Sequence, residues 1–97
     1  MANICDNTMY VYTEDENNFK YIKNILENDW NACIYEEDGV TLECNFESKW
    51  VFPENPMKEL YNNLPNKEDI YIRCLSVEYG CLYHALWICD EDGWSEI

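Results

Sequence analysis

Apolar and polar residues alternate along this chain with two different periods, and the switches between them mark out its elements. Residues 8–12, Thr-Met-Tyr-Val-Tyr, are β-branched and aromatic and read as a strand. Thr13 with Glu16 three residues later forms a capping box that opens a helix. Phe19, Ile22 and Leu26 follow at helical spacing, and Ile25 widens the stripe. A second strand is predicted over 30–35, then an acidic turn, Glu36-Glu37-Asp38-Gly39, whose Asp-Gly pair is a hairpin signal. The third strand alternates cleanly, with Val40, Leu42, Cys44 and Phe46 on one side and Thr41, Glu43, Asn45 and Glu47 on the other. Asn55-Pro56 reads as the cap and first-turn proline of a second helix with an inner stripe of Met57, Leu60, Tyr61 and Leu64, ending near Pro65. Strands are predicted over 70–75 and 81–89 with a break at Glu78-Tyr79-Gly80. Asp90-Glu91-Asp92-Gly93 repeats the acidic turn, and 94–97 is a short returning strand.

The order is β-α-β-β-α-β with a C-terminal strand extension. It predicts an α+β fold of the ferredoxin-like split β-α-β kind, with both helices on one face of an antiparallel sheet. The opposite face stays open unless a partner or the last strands cover it.

Composition narrows the class. Ninety-seven residues, 47% apolar and 15% aromatic, suffice for one domain spanning 1–97 with one core. Twenty acidic against six basic residues leave a net charge of −14. That sign excludes ordinary nucleic-acid binding, which rests on cationic side chains, and disfavours an anionic membrane surface. No apolar run is long enough to span a bilayer, and the first residues lack the pattern of a signal peptide, so a cytoplasmic protein is expected. In that reducing setting Cys5, Cys33, Cys44, Cys74, Cys81 and Cys89 are expected to be buried free thiols. A disulfide or a metal site is the alternative, and no pair has C-x-x-C spacing.

Little in the chain suggests catalysis. His84 is the one histidine, and Cys81 lies too close to it along a strand to form an obvious nucleophile–base pair. Three glycines make no phosphate loop. Asp90-Glu91-Asp92-Gly93 lacks the ligand run and closing glutamate of an EF-hand loop. No cofactor, no metal and no enzymatic activity are therefore expected.

Three stretches carry a family resemblance. Met1-Ala2-Asn3-Ile4-Cys5-Asp6-Asn7 resembles the opening of YubB-type ferredoxin-like proteins, with Ile4 where the family usually has tryptophan. Phe46-Glu47-Ser48-Lys49-Trp50 with Pro53, and Glu78-Tyr79-Gly80, are similar to later family stretches. The resemblance implies a ferredoxin-like fold, an origin on plasmids, phages or other bacterial mobile elements, and a shortened member. The family has no established catalytic residues to carry over. The Asn3, Cys5 and Asn7 cluster is expected to be structural, satisfying backbone groups at a strand entry.

The acids come in runs at 14–16, 36–38, 68–69 and 90–92. One reading is solubility and capping. The sharper reading is imitation of a nucleic acid. Duplex DNA as long as such a domain, ~30 Å, carries roughly 18 charges, so imitation works only if most of the 14 net charges gather on one face or edge. Tyr10, Tyr12, Glu43, Asn45 and Glu47 are expected on the open sheet face, joined by Tyr71 and Arg73 and by Tyr83 and Trp87. An aromatic sheet face suits RNA-recognition domains, but the charge here has the wrong sign, and tyrosine and tryptophan also anchor protein interfaces. The expected function is binding and blocking a basic surface of a host nucleic-acid-handling protein, a CRISPR effector being one candidate. The expected contacts are Glu36, Glu37, Asp38, Glu43, Glu47, Asp90, Glu91 and Asp92, with Tyr10 and Tyr12. The alternative is a homodimer or adaptor that uses the open face.

Overall fold

Alternation places the strands, and tertiary pairing decides where they end. The computed structural model describes residues 4–49, 51–80 and 83–97. Asn3, Trp50 and Cys81, on which expectations fell, lie outside the described residues. The elements are β1 (Ile4–Tyr12), α1 (Glu16–Asn28), β2 (Cys33–Glu37), β3 (Thr41–Lys49), α2 (Glu54–Asn62), β4 (Tyr71–Glu78), β5 (Tyr83–Asp90) and β6 (Gly93–Glu96). The architecture is α+β. Six strands form one sheet in the order β2-β3-β1-β4-β5-β6, and every neighbouring pair is antiparallel.

One core joins alternate strand residues to both helices. Met9 and Val11 of β1, Leu42, Cys44 and Phe46 of β3, and Ile72 and Cys74 of β4 pack with Phe19, Ile22 and Leu26 of α1 and with Met57 and Leu60 of α2. Asn7 is buried among them, but its polar atoms are satisfied. Its Nδ2 donates to Phe46 O at 3.3 Å and Ser48 Oγ at 3.0 Å, and its Oδ1 accepts from Ser76 Oγ at 2.6 Å.

Several boundaries differ from expectation, each for a local reason. Asp15 caps α1 in place of Thr13, because its Oδ1 accepts from Asn17 N (2.8 Å) and Asn18 N (3.0 Å). Thr13 instead donates from Oγ1 to Asp69 O at 2.6 Å, tying the end of β1 to the loop before β4. α2 starts at Glu54, ahead of the expected Asn55 cap, with Pro53 before it and no side-chain cap. Leu64 is buried beyond its end. β2 begins at Cys33 and runs to Glu37, with a register shift between Ile34 and Glu36. Val40 was expected to share the core side with Leu42, but it sits in the turn, 38% exposed.

The largest correction concerns β5. Tyr83 and Trp87 were expected on the open face; Trp87 pairs with buried Cys74, and its ring stacks on Phe52 at 4.6 Å on the core side. Tyr83 points the same way and its hydroxyl accepts from Phe52 N at 3.5 Å. Residues 84, 86 and 88 therefore take the outer face.

Of the described cysteines, Cys5, Cys44, Cys74 and Cys89 are buried free thiols, whereas Cys33 is exposed. Burial pushes the Cys44, Cys74 and Cys89 thiols up to about 12 and raises Cys5 as well. Iodoacetamide applied to the native protein and mapped by peptide mass spectrometry should label Cys33. The other four should be labelled only after unfolding.

Candidate functional site

Chain direction in the antiparallel sheet sorts the loops to two ends. β1, β2 and β5 finish where β3, β4 and β6 begin, as the pairs Tyr12–Thr41, Tyr12–Tyr71, Glu37–Leu42 and Asp90–Gly93 show. The loops at that end hold 14–16, 36–38, 68–69 and 90–92. All four acidic runs, eleven of the twenty carboxylates, thus share one end of the sheet. Six strands span ~24 Å, over which a DNA duplex carries roughly 14 charges.

Hydrogen bonds fix this end. Asn18, fully buried in the first turns of α1, donates from Nδ2 to Asn66 O at 2.7 Å and Asp69 O at 2.9 Å, and accepts Asn66 N on Oδ1 at 2.9 Å. Asn66 Nδ2 donates to Asp15 Oδ2 at 3.1 Å, and Asp69 Oδ1 accepts Glu14 N at 3.2 Å. Tyr61 of α2 donates to Glu91 O at 2.6 Å and so anchors the β5–β6 turn. That turn needs the positive φ of Gly93, 97°.

Part of this charge also serves local structure. Asp38 accepts Val40 N at 3.1 Å and Thr41 N at 2.6 Å, and Asp90 accepts Asp92 N at 2.9 Å. Backbone donors hold the Asp15 and Asp38 carboxyls below the usual range, so both are ionised at neutral pH. A carboxyl lowered by folding stabilises above its unfolded pKa, and that contribution fades as pH falls through the folded value. In urea titrations the double variant Asp15→Asn/Asp38→Asn should be less stable than the parent near neutrality. The gap should close below about pH 4.

The remaining expected contacts divide. Glu37 lies on the core-side parity and pairs with Lys23 of α1 at 2.8 Å, so it is drawn off the outer face. Glu36, Glu43 and Glu47 do lie on the outer face. Glu36 stands directly opposite Glu43, and Glu47 stands opposite Asp6, a residue that pattern reading overlooked. Like charges directly across a ladder destabilise it. Glu43→Gln should therefore raise stability by roughly 0.2–1 kcal/mol at low salt and by less at high salt, in urea titration.

Tyr10 and Arg73 share the next positions of the same row, with the guanidinium 4.6 Å from the Tyr10 ring centre and 5.8 Å from that of Tyr71. Tyr12 reaches the acidic end and donates from its hydroxyl to Glu14 Oε1 at 2.8 Å, which raises the phenol pKa. Beyond Arg73 the outer face turns apolar. Leu75, 45% exposed, pairs with Leu86, while Val77 and Ile88 flank them half-buried.

Among the described residues no group of three His, Cys, Asp or Glu side chains is arranged to hold a metal ion, and no helix is long and apolar enough to cross a membrane. An open groove of about 390 Å³ separates α1 from α2, lined in part by Tyr21, Ile25, Trp30, Pro56 and Leu60. Among the described residues, what the acidic end and the outer face offer is charge and aromatic surface. Comparison with known proteins adds no assignment, since no family model, characterised protein or solved structure matches the chain.

Proposed function

We propose that this chain is a small, non-enzymatic binding protein that occupies a basic, nucleic-acid-binding surface of another protein and so keeps nucleic acid off it. The observation that carries this reading is the gathering of four acidic runs, eleven of the twenty acidic side chains, at one end of the sheet. Backbone hydrogen bonds already hold the Asp15 and Asp38 carboxylates in place, so little ordering of these two remains to be done on docking. Long-range attraction would steer a cationic surface to that end, and Tyr10 and Tyr12 would add contact area once seated.

The strand order β2-β3-β1-β4 supports a ferredoxin-like core extended by β5 and β6, with both helices on one face. The short YubB-like stretches fit a member of that family carried by a mobile element. A CRISPR effector, with its cationic duplex channel, is a candidate target.

The reading is tested by competition. Immobilised protein is offered a bacterial extract at low salt, and retained proteins are challenged with duplex DNA. Retention of nucleic-acid-binding proteins, and their release by DNA, is the expected result. Retained proteins that do not bind nucleic acid, or complexes indifferent to both DNA and salt, would overturn it.

A further inference from the structure

The outer face of the sheet is divided lengthwise. β3 and β1 present Glu43, Glu47 and Asp6, whereas β4 and β5 present Leu75, Val77, Leu86 and Ile88, with Arg73 held over the Tyr10 ring between the two strips and His84 beside Val77. The like-charged pairs work against the ladder, and the apolar strip is only partly covered, with Leu75 45% exposed and Val77, Leu86 and Ile88 half-buried.

The chemistry of an occupant follows from the division. It must be apolar along one side and cationic along the adjoining flank. A nucleic acid or an anionic bilayer has the wrong sign. A second copy would bring its own acidic strip and another 14 negative charges. An added strand would dock on β2 or β6, the sheet edges, and not on this face.

An α-helix has the right size. From β3 to β5 is three strand spacings, ~14 Å, against a helix diameter of about 10–12 Å. Glu43 and Glu47 stand four strand residues apart, ~13 Å. Seven helix residues, about two turns, rise about 10.5 Å, and lysine or arginine stems cover the difference.

We propose that the outer face seats an amphipathic helix of the partner, its apolar side on Leu75, Leu86 and Ile88 and a lysine- or arginine-bearing flank against Glu43 and Glu47. This rests on the reading of the chain as a binder of basic protein surfaces, and it names the element bound.

The probe is a synthetic helical peptide of about 18 residues with a leucine stripe and lysines confined to one flank. A second peptide of equal composition has its lysines dispersed. Calorimetry should show the first binding at least about tenfold more tightly. Leu75→Ser/Ile88→Ser, and separately Glu43→Gln/Glu47→Gln, should each weaken it at least about fivefold, with folding checked by circular dichroism. Glu68→Gln/Glu91→Gln/Asp92→Asn, at the acidic end, should change it less than about twofold.

Equal binding of the two peptides, no binding of either, or loss only in the acidic-end variant would overturn the helix seat. Capture of basic proteins by the acidic end would survive those results. Concentration-dependent doubling of mass in sedimentation, abolished by Leu75→Ser/Ile88→Ser, would give the face to a second copy and overturn the proposal as well. Failure of the chain to retain any nucleic-acid-binding protein from extract would remove the broader reading too.

Discussion

Asn18→Leu should destabilise the protein by roughly 2–3 kcal/mol, a large share of the ~5–15 kcal/mol typical of a domain. Leucine matches asparagine in side-chain heavy-atom count but is bulkier, so at this fully buried position some overpacking adds to the loss, while helix propensity favours the variant. The main loss comes from backbone groups. Asn66 N–H gives up its acceptor at 2.9 Å and Asn66 O its donor at 2.7 Å, while Asp69 O keeps the Thr13 hydroxyl at 2.6 Å. Asn66 is half-buried, so water recovers only part of this. Urea is the appropriate denaturant because it leaves the electrostatics unscreened. Asn17→Leu, one position earlier and exposed, is the control and should fall within ~0.5 kcal/mol of the parent. If both variants lose equally, the cause is the helix end and not the bonds to Asn66. Because the loop at 63–70 carries Glu68 and Asp69, freeing it should also loosen the geometry of the acidic end.

The role of Asn18 shows where sequence reading stops. Inside an amphipathic pattern a polar residue next to Phe19 reads as the solvent side of the helix. Its partners lie some fifty residues away, and no local period encodes them. The helix itself was legible from Phe19, Ile22 and Leu26, and the third strand from Leu42, Cys44 and Phe46, because burial on one side imposes a clear period.

β5 shows the opposite case. Ala85-Leu86-Trp87-Ile88-Cys89 is apolar at both parities, so its alternation carries no information. Only the register, with Trp87 across from Cys74, turns the tryptophan inward and leaves Leu86 and Ile88 outside. The acidic end was half legible. The runs and their turns could be read directly, but their convergence depends on every strand pair being antiparallel, which places the loops after β1, β2, α2 and β5 together. Asp6 was hidden for another reason. It precedes the stretch with strand character, and its pairing opposite Glu47 exists only because β1 extends back to Ile4.

Neutralising the acidic end without touching its caps is the sharpest test of what that charge is for. Glu68, Glu91 and Asp92 are exposed, and the hydrogen bonds at those residues run through backbone atoms, so their carboxylates hold nothing in place. In the triple variant Glu68→Gln/Glu91→Gln/Asp92→Asn the fold should be unchanged or slightly more stable, since self-repulsion at −14 falls. Binding to a cationic partner should weaken. Each exposed ion pair is worth about 0.2–1 kcal/mol, so three together cost roughly 0.6–3 kcal/mol, or about threefold to a hundredfold in Kd. Most of the loss should fall on the association rate, because charges at the periphery of a contact act mainly by steering. Raising salt from about 50 to about 300 mM shortens the screening length on the order of twofold and should weaken the parent complex more than the variant. Surface plasmon resonance against a partner retained in the DNA-competition assay separates the rates. A variant that binds as fast and as tightly as the parent at both salt concentrations would reduce the acidic end to a set of well-capped turns.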